Sequence, residues 1–238
     1  MPRRSRIKDK WRAKKWYTVK TPPYFGEIEV ASIPAEDPSK LIGRVVDTTL
    51  YDITGDFSHQ PIRLRFLITE FKDGKVATIL KGHEYAADYL RSLVRRGTSR
   101  IDGIFTVTTK DGYVTRVSIV AFTRHRVKAS QEHAIRDIMR KVIEEKAKEL
   151  TYEQLCQEMV LGPTPTLGGK IGSDVYNLAK KITPLRHVGV RKSKLLAIPI
   201  IRKKEEMVEE TLNASESSVE LPEKGTETLN IEELQKRG

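Results

Sequence analysis

Residues 101–124 read IDGIFTVTTKDGYVTRVSIVAFTR, and they hold the clearest structural signal in the chain. Two runs rich in β-branched and aromatic residues, 101–109 and 113–124, flank Lys110-Asp111-Gly112. An Asp-Gly pair between two such runs is typical of a tight β-hairpin, because glycine tolerates the positive φ that the turn requires. We therefore predict an antiparallel hairpin here.

A second hairpin is expected upstream. Residues 62–71 (IRLRFLITEF) alternate between apolar and polar side chains, and residues 75–80 (KVATIL) follow Lys72-Asp73-Gly74. For this hairpin we predict a type I′ turn, which needs positive φ at both central positions. Further strands are expected at residues 41–50 and 185–198, and a short one at residues 27–30.

Helical periodicity appears mainly after the hairpin at residues 101–124. Residues 130–150 place Ile135, Ile138 or Met139, Val142 and Ala147 on one face of a helix. Residues 151–161 form a separate predicted helix, and shorter ones are expected at 84–96 and 173–181. The single cysteine, Cys156, excludes an intramolecular disulfide and is read as a buried side chain in a reducing compartment.

These elements predict an α+β fold, mostly an antiparallel β-sheet or partial barrel with packed helices. It carries an extended basic N-terminal arm and an acidic C-terminal tail. We divide the chain into an arm (1–20), a body (21–200) and a tail (201–238) that is flexible and carries a formal charge of −4. No signal peptide is expected, because no apolar stretch follows the N-terminal cations. The longest apolar run, residues 195–201, is too short to span a membrane.

The charge distribution points to a nucleic-acid partner. The chain carries a formal net charge of +11, and residues 2–20 alone carry +8 together with both tryptophans of the protein. Lysines and arginines that neutralise phosphates release condensed counterions, and an indole offers a flat face to an unstacked base. The tryptophans fit equally well into the protein's own core or against a protein neighbour, so their role stays open.

The candidate nucleic-acid contacts fall into three groups. The arm contributes Arg3, Arg4, Arg6, Lys8, Lys10, Trp11, Arg12, Lys14, Lys15 and Trp16. The end of the hairpin at residues 101–124 contributes Arg124, His125, Arg126 and Lys128, and the last predicted strand contributes Arg186, Arg191, Lys192 and Lys194.

The sequence gives little support for a catalytic site or a metal site. Asp52 and Asp56 with His59 could form an acid/base cluster, but they sit in a turn-rich stretch where Asp and His are common for backbone reasons. The five histidines and Cys156 do not have metal-ligand spacing. We expect no enzymatic activity, no metal and no cofactor.

Several motifs together resemble one family, the archaeal and eukaryotic small-subunit ribosomal proteins of the S-three-a-e type, also called e-type S-one. The chain looks like an archaeal member, and the resemblance covers roughly residues 10–196. The motifs, in the family's order, are Lys15-Trp16-Tyr17 with Val19-Lys20-Thr21-Pro22, Gly43-Arg44-Val45, Leu67-Ile68-Thr69-Glu70, Thr108-Thr109-Lys110-Asp111-Gly112-Tyr113, Phe122-Thr123-Arg124, and Pro184-Leu185-Arg186-His187-Val188 with Val190-Arg191-Lys192.

The resemblance implies a structural constituent of the cytoplasmic small ribosomal subunit. It implies contacts with small-subunit rRNA and neighbouring ribosomal proteins on the platform, near the 3′ end of the rRNA and the mRNA exit, where mRNA itself becomes a candidate partner. The competing interpretation is a free-standing basic RNA- or DNA-binding regulator, for which the sequence contains no helix-turn-helix, zinc-finger or RNP signature.

Overall fold

The computed structural model describes residues 11–12, 14–72, 75–161 and 168–199. The fold is α+β, as predicted. Its strands are β1 (Lys15–Lys20), β2 (Glu29–Ala35), β3 (Val45–Thr49), β4 (Ile62–Lys72), β5 (Lys75–Tyr85), β6 (Arg100–Thr108), β7 (Val114–Thr123) and β8 (Leu185–Ala197). Its helices are α1 (Tyr51–Thr54), α2 (Ala87–Leu93), α3 (Ala129–Glu149), α4 (Tyr152–Val160) and α5 (Gly169–Ala179).

The strands form one open, mostly antiparallel sheet with β5 at its centre. The main path runs β2-β1-β5-β8-β7-β6, and β3 and β4 join through the pairing of β4 with β5. Along one edge, β5 is hydrogen-bonded to β4. Along the other edge, it pairs with β1 near the start of β5 and with β8 near the end of β5. Among the strands of the described residues, the only parallel pairing is that of β1 with β5, at Val19 and Val76.

The hairpin of β6 and β7 confirms the prediction made from residues 101–124. The Thr109 carbonyl accepts the Gly112 N–H at 2.9 Å, and the Thr109 N–H donates to the Tyr113 carbonyl at 2.9 Å. Gly112 (φ +79°) is the only residue of this turn with positive φ. The Asp111 carboxylate also accepts the Tyr152 N–H at 3.1 Å, so this turn holds the start of α4. The predicted type I′ turn of the other hairpin, at residues 73–74, lies outside the described residues.

Helices α3 and α4 follow their sequence signals closely. Helix α3 buries Ile135, Met139, Val142 and Ala147, as its periodicity predicts. Helix α4 begins after Thr151, whose side chain accepts the Gln154 N–H, so the predicted capping box is present. Cys156 is fully buried in α4, and burial raises the pKa of its thiol to about 12.

Five sequence predictions needed correction at their boundaries, and one of them is the predicted strand 75–80, which extends to Tyr85. The predicted helix 84–96 shortens to α2, because β5 continues to Tyr85, and the predicted strand 41–50 shortens to β3. The predicted strand 27–30 extends to Ala35 despite Pro34, which an edge strand tolerates. Helix α5 begins at Gly169 instead of Ser173, because its glycines fit against β8: a Cβ on Gly168 would lie 2.3 Å from the Val188 carbonyl oxygen.

The largest departure concerns the basic arm. Residues 15–20, assigned to the arm from their charge, form β1 and pair with β2 over almost their whole length. Val19 is 1% exposed and belongs to a small second core with Ala35, Leu41 and Ile68. The last six residues of the predicted arm are therefore part of the folded body.

The main core lies between the sheet and helices α3, α4 and α5, and it includes Phe66, Ile119 and Met139. No helix in the described part of the chain is both long and apolar enough to cross a membrane.

Candidate nucleic-acid interface

A row of side chains in register crosses one face of the sheet. The strand pairings align Arg63 on β4 with Glu84 on β5, Glu84 with Lys192 on β8, Lys192 with Ser118 on β7, and Ser118 with Ile104 on β6. Residues paired across strands share a face, so these five side chains project from the same side of the sheet.

A second row lies two residues further along the strands. Arg65 pairs with Gly82, while Lys194 pairs with Arg116 and Arg116 with Thr106. Gly82 comes very close to β8, since a Cβ at Gly82 would lie 2.2 Å from the Ser193 carbonyl oxygen. No side chain separates Arg65 from Lys194 at this position. Five cations from three strands, β4, β7 and β8, thus occupy one face, and we call Arg63, Arg65, Arg116, Lys192 and Lys194 the sheet-face patch.

The opposite face of the sheet is covered by α3 at β6 and by α5 at β8. A Cβ on Gly103 would lie 3.2 Å from the Met139 sulfur, and the Arg140 guanidinium lies 5.7 Å from the centre of the Phe105 ring. By contrast, Ile104 is 66% exposed on the patch side. The sheet-face patch therefore faces solvent.

Acidic side chains neutralise part of this patch. The Glu84 carboxylate lies 2.9 Å from the Lys192 ammonium and 3.6 Å from the Arg65 guanidinium, and Asp47 lies 3.6 Å from Arg65. The hydrogen bond from Lys192 holds the pKa of Glu84 below its ordinary value. Among the described residues, Arg63, Arg116 and Lys194 have no ion-pair partner. These three cations are the ones most available to a polyanion.

A buried histidine fixes the junction between β5 and β8 beneath the patch. The His83 Nε2 lies 3.0 Å from the Val190 carbonyl oxygen, so this nitrogen carries the proton and donates. The His83 Nδ1, 2.7 Å from the Ser193 hydroxyl, then accepts, while the Ser193 Oγ accepts the His83 backbone N–H. Burial lowers the pKa of His83 to about 4, so the ring is neutral near pH 7.

The predicted cluster of residues 186–194 is divided between two surfaces. Lys192 and Lys194 belong to the sheet-face patch, and Arg191 occupies a β8 irregularity beside it. Arg186 stands at the other end of β8, roughly 26 Å from Lys194 at the usual rise per strand residue. There its guanidinium donates to the Leu93 carbonyl at 3.2 Å.

Arg186 instead joins the cations at the end of β7. The Arg124 N–H donates to the Pro184 carbonyl at 3.0 Å, and Thr123 exchanges hydrogen bonds with Ser99, so three chain segments meet here. We call this group the strand-end cluster, and its exposed or half-exposed members are Arg95, Arg96, Arg124, His125, Arg126, Lys128 and Arg186.

The sequence reasoning missed Arg63, Arg65 and Arg116, as well as Arg95 and Arg96. A local signal existed for two of them, because Arg63 and Arg65 occupy the polar positions of the alternating run 62–71. The signal for Arg116 was absent, since its proximity to Lys194 depends on the pairing of β7 with β8.

Both tryptophans of the predicted arm are exposed. Trp11 is 63% and Trp16 69% exposed, so neither indole lies in the protein's own core. The Lys14 ammonium lies 3.9 Å from the centre of the Trp11 ring. Arg12 and Lys15 are also exposed. The remaining predicted contacts, Arg3, Arg4, Arg6, Lys8 and Lys10, lie outside the described residues.

The residues considered for acid/base chemistry have local structural partners. The Asp52 carboxylate accepts hydrogen bonds from the Thr49 N–H at 3.0 Å, the Thr49 hydroxyl at 2.8 Å and the Thr48 hydroxyl at 3.0 Å. These bonds, led by the one from the Thr49 backbone, hold the pKa of Asp52 below its ordinary value. His59 Nδ1 lies 2.9 Å from the Thr54 hydroxyl. The cluster thus stabilises the turn around α1.

Comparison with known proteins identifies close relatives. The model of the ribosomal S3Ae family matches residues 3–199. The chain is 52% identical to the small ribosomal subunit protein eS1 of Desulfurococcus amylolyticus over 196 residues, which cover 82% of this chain and 89% of that protein. It is 49% identical to eS1 of Staphylothermus marinus (84% and 92% covered) and 47% identical to eS1 of Aeropyrum pernix (82% and 90% covered).

Proposed function

This chain belongs to the ribosomal S3Ae family and is a structural component of the small subunit of the cytoplasmic ribosome, and we propose that it binds rRNA there through its sheet-face patch and strand-end cluster. Its partners in the small subunit are rRNA and other ribosomal proteins. The family is a structural one and not a class of enzymes. The proposal concerns which surfaces of this chain meet the RNA.

One observation carries the proposal: five cations from three strands stand in register on a sheet face that no described helix covers. Alternation along a strand does not require cations, because uncharged polar residues would keep the face soluble equally well. Neighbouring strands lie about 4.8 Å apart, and alternate residues of one strand lie about 7 Å apart. The patch therefore presents closely spaced charges on a rigid support, where neutralised phosphates would release their counterions.

The strand-end cluster extends the same interaction to the end of β7. Arg124, His125 and Arg126 are exposed in a loop that is held in place by the hydrogen bonds of Thr123 and Ser99. Arg186 contributes a guanidinium whose orientation is fixed by the Leu93 carbonyl. The arm residues Arg3, Arg4, Arg6, Lys8 and Lys10 add further phosphate contacts in this proposal.

The location within the subunit is also part of the proposal. The family resemblance of the Lys15-Trp16-Tyr17 and Arg186-His187-Val188 motifs supports a position on the platform, near the 3′ end of the rRNA and the mRNA exit. In that position, mRNA leaving the subunit becomes a further candidate partner.

The test measures the salt dependence of binding to transcribed small-subunit rRNA. Replacing two cations that lack ion-pair partners, Arg116→Gln with Lys194→Gln, removes two phosphate contacts. The slope of log K against log salt should then become less steep by about 1.4–1.8, since each contact contributes roughly 0.7–0.9.

The matched control replaces two exposed cations of α3, Lys141→Gln with Lys148→Gln, which lie on the opposite layer. It changes the net charge equally and should leave the slope unchanged. Equal slopes for both double variants would overturn the assignment of the patch. Sedimentation of the wild-type protein with small subunits at physiological salt separates a ribosomal component from a free-standing regulator, which would stay in the supernatant.

A further inference from the structure

A cavity of about 260 Å³ opens between α5 and the first half of β8. Helix α5 contributes four lining residues and β8 contributes three, and they are Gly172, Ser173, Tyr176, Asn177, Arg186, His187 and Val188. The volume lies below the roughly 300–1,000 Å³ that is usual for drug-sized ligands. It therefore suits a single ring system better than a larger molecule.

The cavity exists because α5 approaches β8 through a glycine. A Cβ on Gly172 would lie 3.0 Å from the Val188 carbonyl oxygen and 3.1 Å from the Gly189 Cα. Val188 is 4% exposed and gives this side of the cavity an apolar surface. Because α5 and β8 are packed together in the folded body, the cavity between them is largely preformed.

Two lining residues present flat groups. The Tyr176 ring is half-buried on α5, and the Arg186 guanidinium is held at the cavity by its 3.2 Å hydrogen bond to the Leu93 carbonyl. Aromatic rings and guanidinium planes are the groups on which proteins stack unpaired bases of RNA.

The remaining lining residues supply hydrogen-bonding groups of both kinds. Ser173 has a hydroxyl and Asn177 an amide, and each can both donate and accept. His187 is 8% exposed, and its Nε2 has no hydrogen-bond partner within the described part of the chain. Burial, with a smaller contribution from Arg186, lowers the pKa of His187, so the ring is neutral near pH 7. Neutral donors and acceptors match the edge of a nucleobase.

We propose that this cavity holds the base of one unstacked rRNA nucleotide, with its phosphate at the strand-end cluster. The inference rests on the proposed function and adds a site that reads a base, whereas the sheet-face patch contacts only phosphates. The cationic surroundings favour a nucleotide over the side chain of a neighbouring protein. Arg186 belongs both to the cavity and to the cluster, and Arg124 reaches the adjacent Pro184 through its backbone.

The first experiment titrates the isotope-labelled full chain with AMP, GMP, CMP and UMP, and follows the NMR signals of Ser173, Asn177 and His187. At least one nucleotide should shift these signals and bind with saturation. Tyr176→Ala should weaken its binding at least fivefold, because stacking on an aromatic ring stabilises a bound base. Tyr176→Phe should retain binding, and so should Leu178→Ala, an exposed position of α5 outside the cavity.

Ribose 5-phosphate and inorganic phosphate serve as further arms of the titration. Shifts of equal size with either of them would show that the site reads phosphate only, and this would overturn the inference. An absence of shifts with all four nucleotides would overturn it as well.

The second experiment measures binding of Tyr176→Ala to small-subunit rRNA. Affinity should fall at least fivefold with an unchanged salt slope, because the substitution removes no charge. If wild type and Tyr176→Ala bind equally tightly, the cavity inference fails while the proposed function stands. If the wild-type protein does not bind rRNA, the proposed function fails with it.

Discussion

Lowering the pH should destabilise the body through His83. This ring is neutral in the folded protein, where burial lowers its pKa from the ordinary 6.5 to about 4. In the unfolded chain the same ring takes up a proton near pH 6.5. The unfolded state therefore binds more protons between these values, so stability is full above about pH 6.5 and is lost as the pH falls toward 4.

The shift sets the size of the effect. The pKa of His83 falls from 6.5 to about 4, and each pKa unit is worth about 1.36 kcal/mol. The free energy of unfolding should therefore be lower by roughly 3 kcal/mol once the pH is below both pKa values. Most of this loss should be present at pH 4.5. Once His83 is protonated, its Nδ1 can no longer accept the hydrogen bond from the Ser193 hydroxyl. The contact between β5 and β8 should therefore weaken first.

Urea unfolding at pH 7.0, 5.5 and 4.5 measures the effect, with His83→Gln as the matched variant. A glutamine keeps one donor for Val190 and one acceptor for Ser193 but does not titrate in this range. The free energy of unfolding should fall by about 2–3 kcal/mol more in the wild type than in the variant between pH 7.0 and 4.5. Equal losses in the two proteins would refute the reasoning.

A second readout covers the case in which His83→Gln does not fold. The His83 ring signal in the NMR spectrum of the wild-type protein should remain that of a neutral imidazole down to about pH 4.5. Titration of this signal near pH 6.5 would contradict the buried, neutral assignment.

Three further perturbations test other parts of the structure. Gly82→Ala should lower the free energy of unfolding by about 3 kcal/mol, because its Cβ would meet the Ser193 carbonyl oxygen at 2.2 Å; a loss under about 0.5 kcal/mol in urea unfolding would contradict that approach. Trp16→Ala should change stability by under about 0.5 kcal/mol, since Trp16 is 69% exposed, and should weaken rRNA binding by about 1–3 kcal/mol; unchanged affinity would assign this indole to a protein neighbour. Removing residues 1–10 should flatten the salt slope by up to about 4.5, because five cations that each meet a duplex phosphate are lost; an unchanged slope would exclude this segment from the interface.

The sequence predicted those elements whose signals are local. The hairpin of β6 and β7 follows from Gly112 and the composition of its strands, and α4 follows from Thr151 and Gln154. Helix α5 was placed four residues too late, because glycine lowers helix propensity wherever it occurs. A Cβ on Gly169 would meet the Met159 carbonyl oxygen of α4, and a Cβ on Gly172 would meet the Val188 carbonyl oxygen of β8, so both positions favour a residue without a side chain. These contacts are invisible in the sequence.

The candidate interface was harder to predict than the fold, because it depends on strand pairing. Lys192 and Lys194 were identified because several basic residues lie near them in the sequence. For the same reason Arg186 was assigned to their group, although it lies at the far end of β8. Arg116 was missed because the sequence does not contain its register with Lys194. Strand β1 was missed for the opposite reason: its charge indicated an arm, while the burial of Val19 shows that the strand belongs to the body.

In the proposed interaction, RNA is bound both by the sheet-face patch on the folded body and by residues 1–10. Fixing the backbone of one residue costs roughly 1–2 kcal/mol, so contacts made by residues that become ordered only on binding must offset that cost. The cations of the sheet-face patch do not incur this cost of ordering the backbone. The strand pairings and the hydrogen bonds of His83 already hold β4, β5, β7 and β8 in register. Affinity should therefore originate in the body. A chain without residues 1–10 is expected to keep binding rRNA at low salt and to lose it at a lower salt concentration than the full chain, since fewer counterions are released.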